Sequence, residues 1–450
     1  MEKRGIPVVS ETFELNDLVV LAERTFMKRG VPKVRQVLTT PDTSLKSLKE
    51  FVPALIDALT RPLTEEEKWS GTYKPPERPR IAMTGTYDEA QEFFLGDLTR
   101  FAGRRAPLSV MTDGLPVTPP TEERVARMLK GTSHAPDEVV KPKIKPDQFF
   151  VPQEELISAT VEKIAINGVM AGCRPEHMPV LLAMAELGGC VGCPCDCDFS
   201  HMFVVSGPIA KEIGMNAGFH ALGPGNPANS SIARACALMG INLGGVEFGA
   251  NVIERIGAFI WGLTFAESGD TPWDGLNMNE GYNADESVLV SFGGPVKVNG
   301  ACLNEAREAT NLSELQYGSP GQLVAAFKAS RETRSALVIF TPDAAKQWKE
   351  EYGFKTMQQL QDYLYDNATR TRGEWGRQYF FYMTSMSAKQ NPRGSRMINP
   401  DHLELPEDTL VPIIVNGAKE IKVIVTGGAG FQWGYGNAWG TSSTLIDRWR

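Results

Sequence analysis

The chain has 450 residues, and 54 acidic against 46 basic side chains give it a formal net charge of −8 at pH 7. This length predicts two or three domains with ample core, and a hydrophobic content of 42% is too high for a largely disordered protein. The mild acidity argues against sequence-independent nucleic-acid binding, which needs a field of Lys and Arg. No apolar run predicts a membrane span, and the N-terminus has no apolar signal core, so we expect a cytoplasmic protein.

The first 65 residues predict the beginning of a parallel sheet. The sequence GIPVV at Gly5–Val9 is rich in β-forming residues, and apolar residues recur at helical spacing over Asn16–Lys28. KVRQVLTT predicts a second strand, and the segment from Ser44 predicts an amphipathic helix that contains Pro53. Strand, helix, strand and helix in succession indicate βαβ units.

A polar, proline-rich stretch over residues 66–80 predicts a linker to a larger α/β domain with glycine-rich loops, over residues 81–450. One alternative divides this domain into two subdomains near residue 150. We expect buried helices in ISATVEKIAINGVMAGC and EHMPVLLAMAEL, and a buried strand followed by a glycine turn in IKVIVTGGAG. Thr121 is expected to cap a helix, and the sequence shows no repeat of fixed period.

Four of the seven cysteines fall within eight residues of the sequence GGCVGCPCDCDFSH. Cys190, Cys193, Cys195 and Cys197 form a C-x2-C-x-C-x-C array, and His201 follows four residues later. A disulfide framework is not expected from such a cluster in a chain of this length. Because thiolates are common ligands of zinc, copper(I) and iron–sulfur clusters, the array predicts a metal ion or metal–thiolate cluster, with His201 as a further ligand.

Geometry constrains this metal hypothesis. In an extended strand, Cys193, Cys195 and Cys197 would share one face, with neighbouring Cα atoms about 6.6 Å apart. Two thiolates on one zinc ion lie roughly 4 Å apart, so a single ion requires a curled loop, which Gly192 and Pro194 would allow. The spacing matches no standard zinc or ferredoxin signature, and redox-active or inert thiols stay open as alternatives.

A second candidate region is the stretch Gly207–Ala235, which is dense in Gly, Asn and Ser. Glycines let a backbone approach a ligand closely, and asparagine side chains both donate and accept hydrogen bonds. The guanidinium of Arg234 would hold a carboxylate or phosphate through two hydrogen bonds. We therefore predict a substrate-binding loop, the alternative being a purely structural one. The candidate substrate-binding residues are Asn216, Gly223, Gly225, Asn229 and Arg234.

Candidate acid–base groups are few. His220 lies inside the second region, and Glu267 in FAESGDTPW and Asp113 in DGLP are carboxyls placed in loops. A further glycine-rich stretch, Thr426–Ser443, could bind an anion on its amides, but a packed and glycine-kinked segment is the favoured interpretation. The predicted catalytic set consists of His220, Glu267 and the four thiols of the array.

Two blocks of the sequence resemble a known family. EKRGIPVVSETF followed by RGVPKVRQVLTTP is similar to the segment just downstream of the redox motif in UGSC-family (seleno)proteins and in the selenoprotein B components of glycine and proline reductases. A second set of segments resembles the large domain that accompanies such sequences, and together the blocks cover most of the chain. These segments are DGLPVTPPTEERV, ATVEKIAINGVMAGCRPEHMPVLLA, GPIAKEIGMNAGFHALGPGNPANSSIARA, FAESGDTPW and VTGGAG.

The resemblance implies reductive chemistry and a Cys/Sec-Gly-x-Cys motif ahead of the strand at Gly5. The given sequence starts four residues before Gly5 and lacks this motif. We therefore expect either a small partner subunit that carries the motif or an N-terminal extension. A parallel strand without its neighbour exposes backbone and apolar surface, which also predicts a partner on residues 1–60 and an oligomeric assembly.

Three functional hypotheses follow. The first is the large subunit of a thiol-, selenol- or metal-thiolate-dependent reductase or lyase that cleaves a C–N, C–S or C–X bond of a small polar substrate. The second is a hydratase or lyase in which the array holds a Lewis-acidic metal ion. The third is a non-enzymatic protein that binds or delivers a metal or cluster. It ranks last because storage does not need a polar, glycine-rich pocket.

Overall fold

The structure, a computed structural model, describes residues 7–13, 22, 26, 33–39, 45–68, 80–95, 111–143, 158–189, 200–244, 263–294, 297–300, 319–329, 335–376, 402, 404–414, 416–438 and 440–450. These residues form an α/β protein with several parallel strand pairs, which confirms the predicted fold class. The cysteine array and the boundary predicted near residue 150 lie outside this part of the chain. No helix within it is both long and apolar enough to traverse a bilayer.

The N-terminal segment combines a parallel strand pair with one helix: β1 (Val9–Phe13), β2 (Arg35–Thr39) and α1 (Leu45–Thr60). The parallel arrangement, the second strand and the helix with its internal Pro53 agree with the prediction. Of the first strand, predicted at Gly5–Val9, Pro7 and Val8 precede the observed strand, which begins at Val9, and residues 5 and 6 lie outside the described part of the chain. The helix predicted over Asn16–Lys28 lies almost wholly outside the described residues.

Arg35 joins β2 to the end of α1. Its buried guanidinium donates hydrogen bonds to the carbonyls of Ala58, Arg61 and Pro62 and to both carboxylate oxygens of Glu67. A cation at this end of a helix satisfies carbonyls that have no partner within the helix. The same contact holds the pKa of Glu67 far below its ordinary value, at about 2.

A helical layer precedes the first large sheet and consists of α2 (Tyr87–Leu95), α3 (Glu122–Met128), α4 (Val161–Met170) and α5 (Met178–Glu186). Thr121 caps α3 by accepting a hydrogen bond from the amide of Arg124, as the sequence predicts, and Thr160 caps α4 in the same way. The helices α4 and α5 are the two buried helices expected from their apolar sequences, and most of their residues are inaccessible to solvent.

The first large sheet is built from β3 (Ser200–Ser206), β4 (Leu263–Ala266), β5 (Val288–Gly294) and β12 (Gly440–Leu445). Three helices accompany it: α6 (Ile209–Glu212), α7 (Pro227–Asn242) and α8 (Leu276–Asn279). The strand order is β12-β5-β3-β4, and only β3 and β4 are parallel neighbours. Parallel neighbours need a crossover connection, and α6 and α7 lie within it.

The second large sheet is built from β6 (Lys297–Gly300), β7 (Ser335–Phe340), β10 (Ile421–Val425) and β11 (Trp433–Ala438). Its helices are α9 (Pro320–Ala329), α10 (Pro342–Glu350) and α11 (Met357–Asn367). The strand order is β10-β7-β11-β6, with β7 and β10 parallel. Between α11 and β10, the chain forms β8 (Thr369–Thr371), α12 (Arg372–Gly376) and β9 (Leu410–Pro412).

The two large sheets repeat one topology. In each sheet, the first strand (β3 or β7) lies between the parallel strand that follows it (β4 or β10) and an antiparallel strand (β5 or β11). The registers also correspond, since Val205 faces Ala266 in the first sheet as Phe340 faces Val425 in the second. The fold therefore contains an internal structural repeat, although the sequence shows no corresponding repeat.

The strands β3 to β6 belong to the first half of this repeat, and β7 to β12 belong to the second half. Each half contributes its last strand, β6 or β12, to the sheet of the other half. After two intervening residues, β5 of the first sheet is followed by β6, which pairs with β11 in the second sheet. After one intervening residue, β11 is followed by β12, which pairs with β5 in the first sheet. The two crossings have the same register. Gly440, the first residue of β12, pairs with Gly293, the next-to-last residue of β5. Lys297, the first residue of β6, pairs in the same way with Asn437, the next-to-last residue of β11.

The two sheets pack face to face and form the inner layers of a four-layered arrangement of helix, sheet, sheet and helix. Val204, Phe265 and Val290 of the first sheet meet Leu337 and Ile424 of the second in one buried cluster. The outer face of the first sheet packs against α4, α5 and α7, and the outer face of the second packs against α9, α10 and α11. This arrangement brings the carboxyl ends of β4 and β10 together.

Candidate active site

The carboxyl ends of the parallel strands meet where the two halves touch. The amide of Ser268, just after β4, donates to the carbonyl of Val425 at the end of β10 (2.7 Å). In the reverse direction, the hydroxyl of Thr426 donates to the carbonyl of Ala266 (2.8 Å). Ligands of α/β proteins usually bind outside the carboxyl ends of parallel strands. This edge is therefore the candidate active site.

Glu267 follows β4 and carries a buried carboxyl at this edge. Its Oε2 accepts hydrogen bonds from the hydroxyl of Ser206 (2.6 Å) and from the amide of Leu276 (2.8 Å). Its Oε1 makes no hydrogen bond to any residue that the structure describes. Burial raises the pKa of Glu267 from 4.5 to about 7, and the hydrogen bonds from Ser206 and Leu276, together with the nearby amide of Val425, partly offset this rise.

Such a carboxyl is suited to proton transfer. A group with a pKa near neutrality exists in both the acidic and the basic form at cellular pH, so it can give or take a proton. Buried polar atoms are nearly always paired, and an unpaired one within a strand-end cluster is typical of a functional group. Oε1 is also shielded from solvent.

Two glycines allow the backbone to close around this carboxyl. Gly207 has φ +100°, and a Cβ there would lie 2.4 Å from the carbonyl oxygen of Glu286. A Cβ on Gly275 would lie 2.6 Å from Oδ1 of Asn277. Neither position accommodates another residue without displacement of its neighbour.

Ser206 ends β3 and connects the carboxyl to α8. While its hydroxyl donates to Glu267, its oxygen accepts a hydrogen bond from the amide of Asn277 (3.0 Å). The buried Asn277 side chain in turn donates to three carbonyls of the segment that precedes β5. The sequence analysis missed Ser206. The available signal was a serine at the end of an apolar strand, directly before Gly-Pro.

A glycine turn after β10 meets a loop of the first half beside the strand ends. Gly427 and Gly430 have φ values of +105° and +121°, which residues with a Cβ rarely adopt. The amide of Gly427 donates to the carbonyl of Ala217 (2.9 Å). The ring of Phe219 lies against Gly428 and is 73% exposed. Beyond this turn, Trp433–Ala438 and Gly440–Leu445 are strands, so the packed interpretation of Thr426–Ser443 is confirmed for those residues.

The asparagines predicted to bind substrate instead stabilise their own loop. Oδ1 of Asn229 accepts from the amide of Asn216, and Nδ2 of Asn229 donates to the carbonyls of Asn216 and Ala221. Nδ2 of Asn216 donates to the carbonyl of Phe219 and to Oδ1 of Asn226. These bonds hold the loop tip beside the glycine turn, so both residues position the site and present few free polar atoms.

His220 lies at the tip of the same loop. It has φ +64°, in the left-handed region, and its ring makes no hydrogen bond within the described part of the chain. A Cβ on Gly223 would lie 2.3 Å from Nε2 of His220, and Gly225 has φ +90°. The two glycines thus permit a tight turn that leaves the imidazole exposed.

Arg234 and Asp113 were predicted separately, as a substrate clamp and as an acid–base group, and the structure pairs them. Nε and Nη2 of Arg234 donate to the two carboxylate oxygens of Asp113 (2.8 and 2.9 Å), whose side chain is 1% exposed. Nη2 also donates to the carbonyls of Leu115 and Pro116. The guanidinium fastens the DGLP loop to α7, and the pair of donors that would hold a ligand carboxylate or phosphate is occupied by Asp113.

The candidate metal centre, Cys190, Cys193, Cys195 and Cys197, lies outside the described residues, as does the side chain of His201. The backbone of His201 is near the amino end of β3, whereas Ser206 is at its carboxyl end, about 17 Å away at the rise of a strand. The chain therefore enters β3 at the edge opposite Glu267. Among the described residues, no group of three His, Cys, Asp or Glu side chains is arranged to hold a metal ion.

Two other cysteines, Cys173 and Cys236, are present as thiols within the described residues. Burial raises the pKa of the Cys173 thiol to about 12. Cys236 is buried in α7, and its thiol donates to the carbonyl of Gly189 (3.1 Å). Cys236 thus belongs to the hydrophobic core, and Cys173 is partly buried and packs against that core.

Comparison with known proteins gives no family for the chain. A scan against protein-family models found no match, and neither did a search of curated proteins. The resemblance to UGSC-type proteins stays a prediction.

Proposed function

We propose that the protein is an enzyme that cleaves a C–N, C–S or C–X bond of a small polar substrate, with Glu267 as the proton-transferring group. The observation that carries this proposal is the carboxyl of Glu267, which has Oε2 fixed by two donors and Oε1 buried without a partner. The carboxyl lies where the ends of β4 and β10 meet, at the usual ligand-binding edge of an α/β fold.

The chemistry follows from the two forms of this carboxyl. The neutral acid gives a proton to a departing nitrogen or sulfur, which converts a poor leaving group into an amine or a thiol. The carboxylate takes a proton from a carbon beside the bond that breaks. With a pKa of about 7, both forms are present at neutral pH.

The soft nucleophile or metal of the first hypothesis is proposed from sequence alone. The array Cys190–Cys197 would supply a thiolate or hold a metal ion, and a small partner with Cys/Sec-Gly-x-Cys would supply the reducing centre. Either makes the enzyme a reductase or a lyase. A hydratase or lyase with an array-bound metal keeps the same role for Glu267.

The test is turnover by Glu267→Gln, which keeps the size of the side chain and removes the titratable proton. The purified chain is screened by mass spectrometry for release of ammonia from small amino acids and amines, and of a thiol from thioethers, in the presence of dithiothreitol. We expect Glu267→Gln to lose about 100-fold or more in kcat. Glu186→Gln changes another buried carboxyl, held by Thr444 and Trp449, and serves as the control. Full activity in Glu267→Gln would refute the proposal.

The contribution of the array is tested separately. Cys193→Ser and Cys195→Ser are compared with Cys236→Ser for activity and for metal content by mass spectrometry. A tagged chain isolated without oxygen from its native cells shows whether a Cys/Sec-Gly-x-Cys partner accompanies it. Metal or activity lost only in the array variants supports the thiolate hypothesis, and unchanged values exclude it.

A further inference from the structure

We infer that Ser206 is a positioning residue that assigns the labile proton of Glu267 to Oε1. This inference deepens the proposed function, because it identifies the oxygen that exchanges a proton with substrate and the group that makes the choice. It depends on three hydrogen bonds at the ends of β3, β4 and α8. None of these bonds involves a residue that the sequence analysis assigned, apart from Glu267 itself.

The direction of the hydrogen bonds is fixed by a backbone amide. The N–H of Asn277 can only donate, and it donates to Oγ of Ser206 (3.0 Å). Among the described residues, Oε2 of Glu267, 2.6 Å away, is the one acceptor that the hydroxyl proton of Ser206 reaches, so this proton points away from Asn277 and toward Oε2. A hydroxyl held in this way is a committed donor to the carboxyl.

Oε2 therefore accepts two hydrogen bonds, one from the hydroxyl of Ser206 and one from a backbone amide. The second is the amide of Leu276, 2.8 Å from the same oxygen. A protonated oxygen is a poor acceptor, so the neutral acid keeps Oε2 as its carbonyl oxygen and carries its proton on Oε1. Oε1 is the oxygen without a partner in the described chain, and its proton is therefore free for a substrate atom.

The surroundings of the carboxyl contain no competing charge among the described residues. The groups that face it are the hydroxyl of Ser206 on β3 and the amide of Leu276 on α8, both bonded to Oε2, and the amide of Val425 on β10, which lies near the carboxyl without a hydrogen bond to Oε1. All three stabilise the carboxylate against the effect of burial. Loss of the serine hydroxyl alone should raise the pKa of Glu267 by about one unit, since a hydrogen bond to a charged group contributes this order of free energy.

The test is an infrared titration of the Glu267 carboxyl. Protein labelled with 13C at its glutamate carboxyls is titrated from pH 4 to pH 9, and subtraction of the Glu267→Gln spectrum isolates the band of Glu267. We expect a midpoint near 7 in the parent protein, a midpoint about one unit higher in Ser206→Ala, and a restored midpoint in Ser206→Thr. An unchanged midpoint in Ser206→Ala, or no restoration in Ser206→Thr, would overturn the inference.

A matched control removes another buried hydroxyl. Thr444 donates to Oε2 of Glu186 (2.9 Å), so Thr444→Val loses the same kind of bond at a different carboxyl. It should lower stability and leave the Glu267 midpoint in place, whereas a shift equal to that of Ser206→Ala would contradict a specific role for Ser206.

A second measurement uses only the parent protein and therefore does not depend on whether a serine variant folds. Below pH 6, the carbonyl band of the neutral acid should lie at the frequency of a carbonyl that accepts two hydrogen bonds. A band at the frequency of an unbonded carbonyl would place the proton on Oε2 and overturn the inference. The titration uses no substrate, so a fully active Glu267→Gln variant would refute the proposed function and leave this result standing.

Discussion

Glu267 and Thr426 occupy equivalent positions in the two halves of the fold. Each is the first residue after the second parallel strand of its sheet, and each amide donates to the neighbouring first strand, at Val205 (2.9 Å) and Phe340 (2.8 Å). One half thus places a carboxyl where the other places a hydroxyl. The hydroxyl is committed to the carbonyl of Ala266, so of these two equivalent side chains only Glu267 can exchange a proton with a ligand.

The stability of the protein should fall as the pH rises from about 4.5 to about 7. The unfolded chain ionises Glu267 at its ordinary value of 4.5, whereas the folded chain does so only at about 7. The stabilisation is therefore complete below pH 4.5 and is lost as the pH passes 7. Linkage gives this single group a contribution of about 3 kcal/mol.

This pH dependence is measured by urea unfolding of the parent protein and of Glu267→Gln. The difference in unfolding free energy between the two should change in favour of the variant between pH 5 and pH 8. Parallel pH profiles of the two proteins would contradict the raised pKa.

Removal of Arg234 should destabilise the fold without a specific effect on substrate binding. Asp113 is 1% exposed, and Arg234→Ala leaves its carboxylate buried without a counter-charge. Breaking a buried pair in this way costs about 3 kcal/mol or more. Arg234→Ala, Asp113→Ala and the double variant are compared by urea unfolding, and the double variant should lose less than the sum of the single losses. Strict additivity would show that the two side chains do not interact.

The cysteines should separate into two classes of reactivity. With a pKa of about 12, only about one Cys173 thiol in ten thousand is ionised at pH 8. Iodoacetamide applied to the native protein should therefore leave Cys173 and the buried Cys236 unmodified. Peptide mass spectrometry then reads the labelling of Cys190–Cys197, with urea-unfolded protein as the fully reactive control. Rapid labelling of native Cys173 would be inconsistent with its raised pKa.

The left-handed backbone at His220 should make glycine preferable to alanine at this position. Both His220→Gly and His220→Ala remove the imidazole, but alanine keeps a Cβ at φ +64°. The glycine variant should be more stable than the alanine variant by about 1 kcal/mol in thermal or urea unfolding. If the imidazole contacts substrate, both variants lose activity to the same extent. A more stable alanine variant would contradict the left-handed conformation.

The sequence predicted elements whose signal is local. The continuous apolar runs of α5 and β10 identified buried elements, and Thr121 marked the start of α3. Glu267 was a candidate because a carboxyl in a predicted loop is an available acid–base group, whereas the strand β4 that precedes it was not predicted. These inferences need only neighbouring residues and the periodicity of the chain.

Features that depend on distant pairing were not predictable. Asp113 and Arg234 are 121 residues apart, so the sequence offered two free charged groups where the fold forms one ion pair. The internal repeat is hidden because burial selects for apolar character and not for identity. At equivalent positions the first sheet has Ala266 and Leu289, and the second has Val425 and Trp433.

The crossing of β6 and β12 makes the protein an intramolecular counterpart of a domain-swapped dimer. Neither half contains a complete sheet by itself, so fragments cut between β6 and β7 should acquire structure only when mixed. The pairing of β5 with β12 joins residues about 150 positions apart, and such contacts form late and slowly during folding. The same interlock requires both sheets to separate together, so the folded protein is expected to resist unfolding kinetically once it has formed.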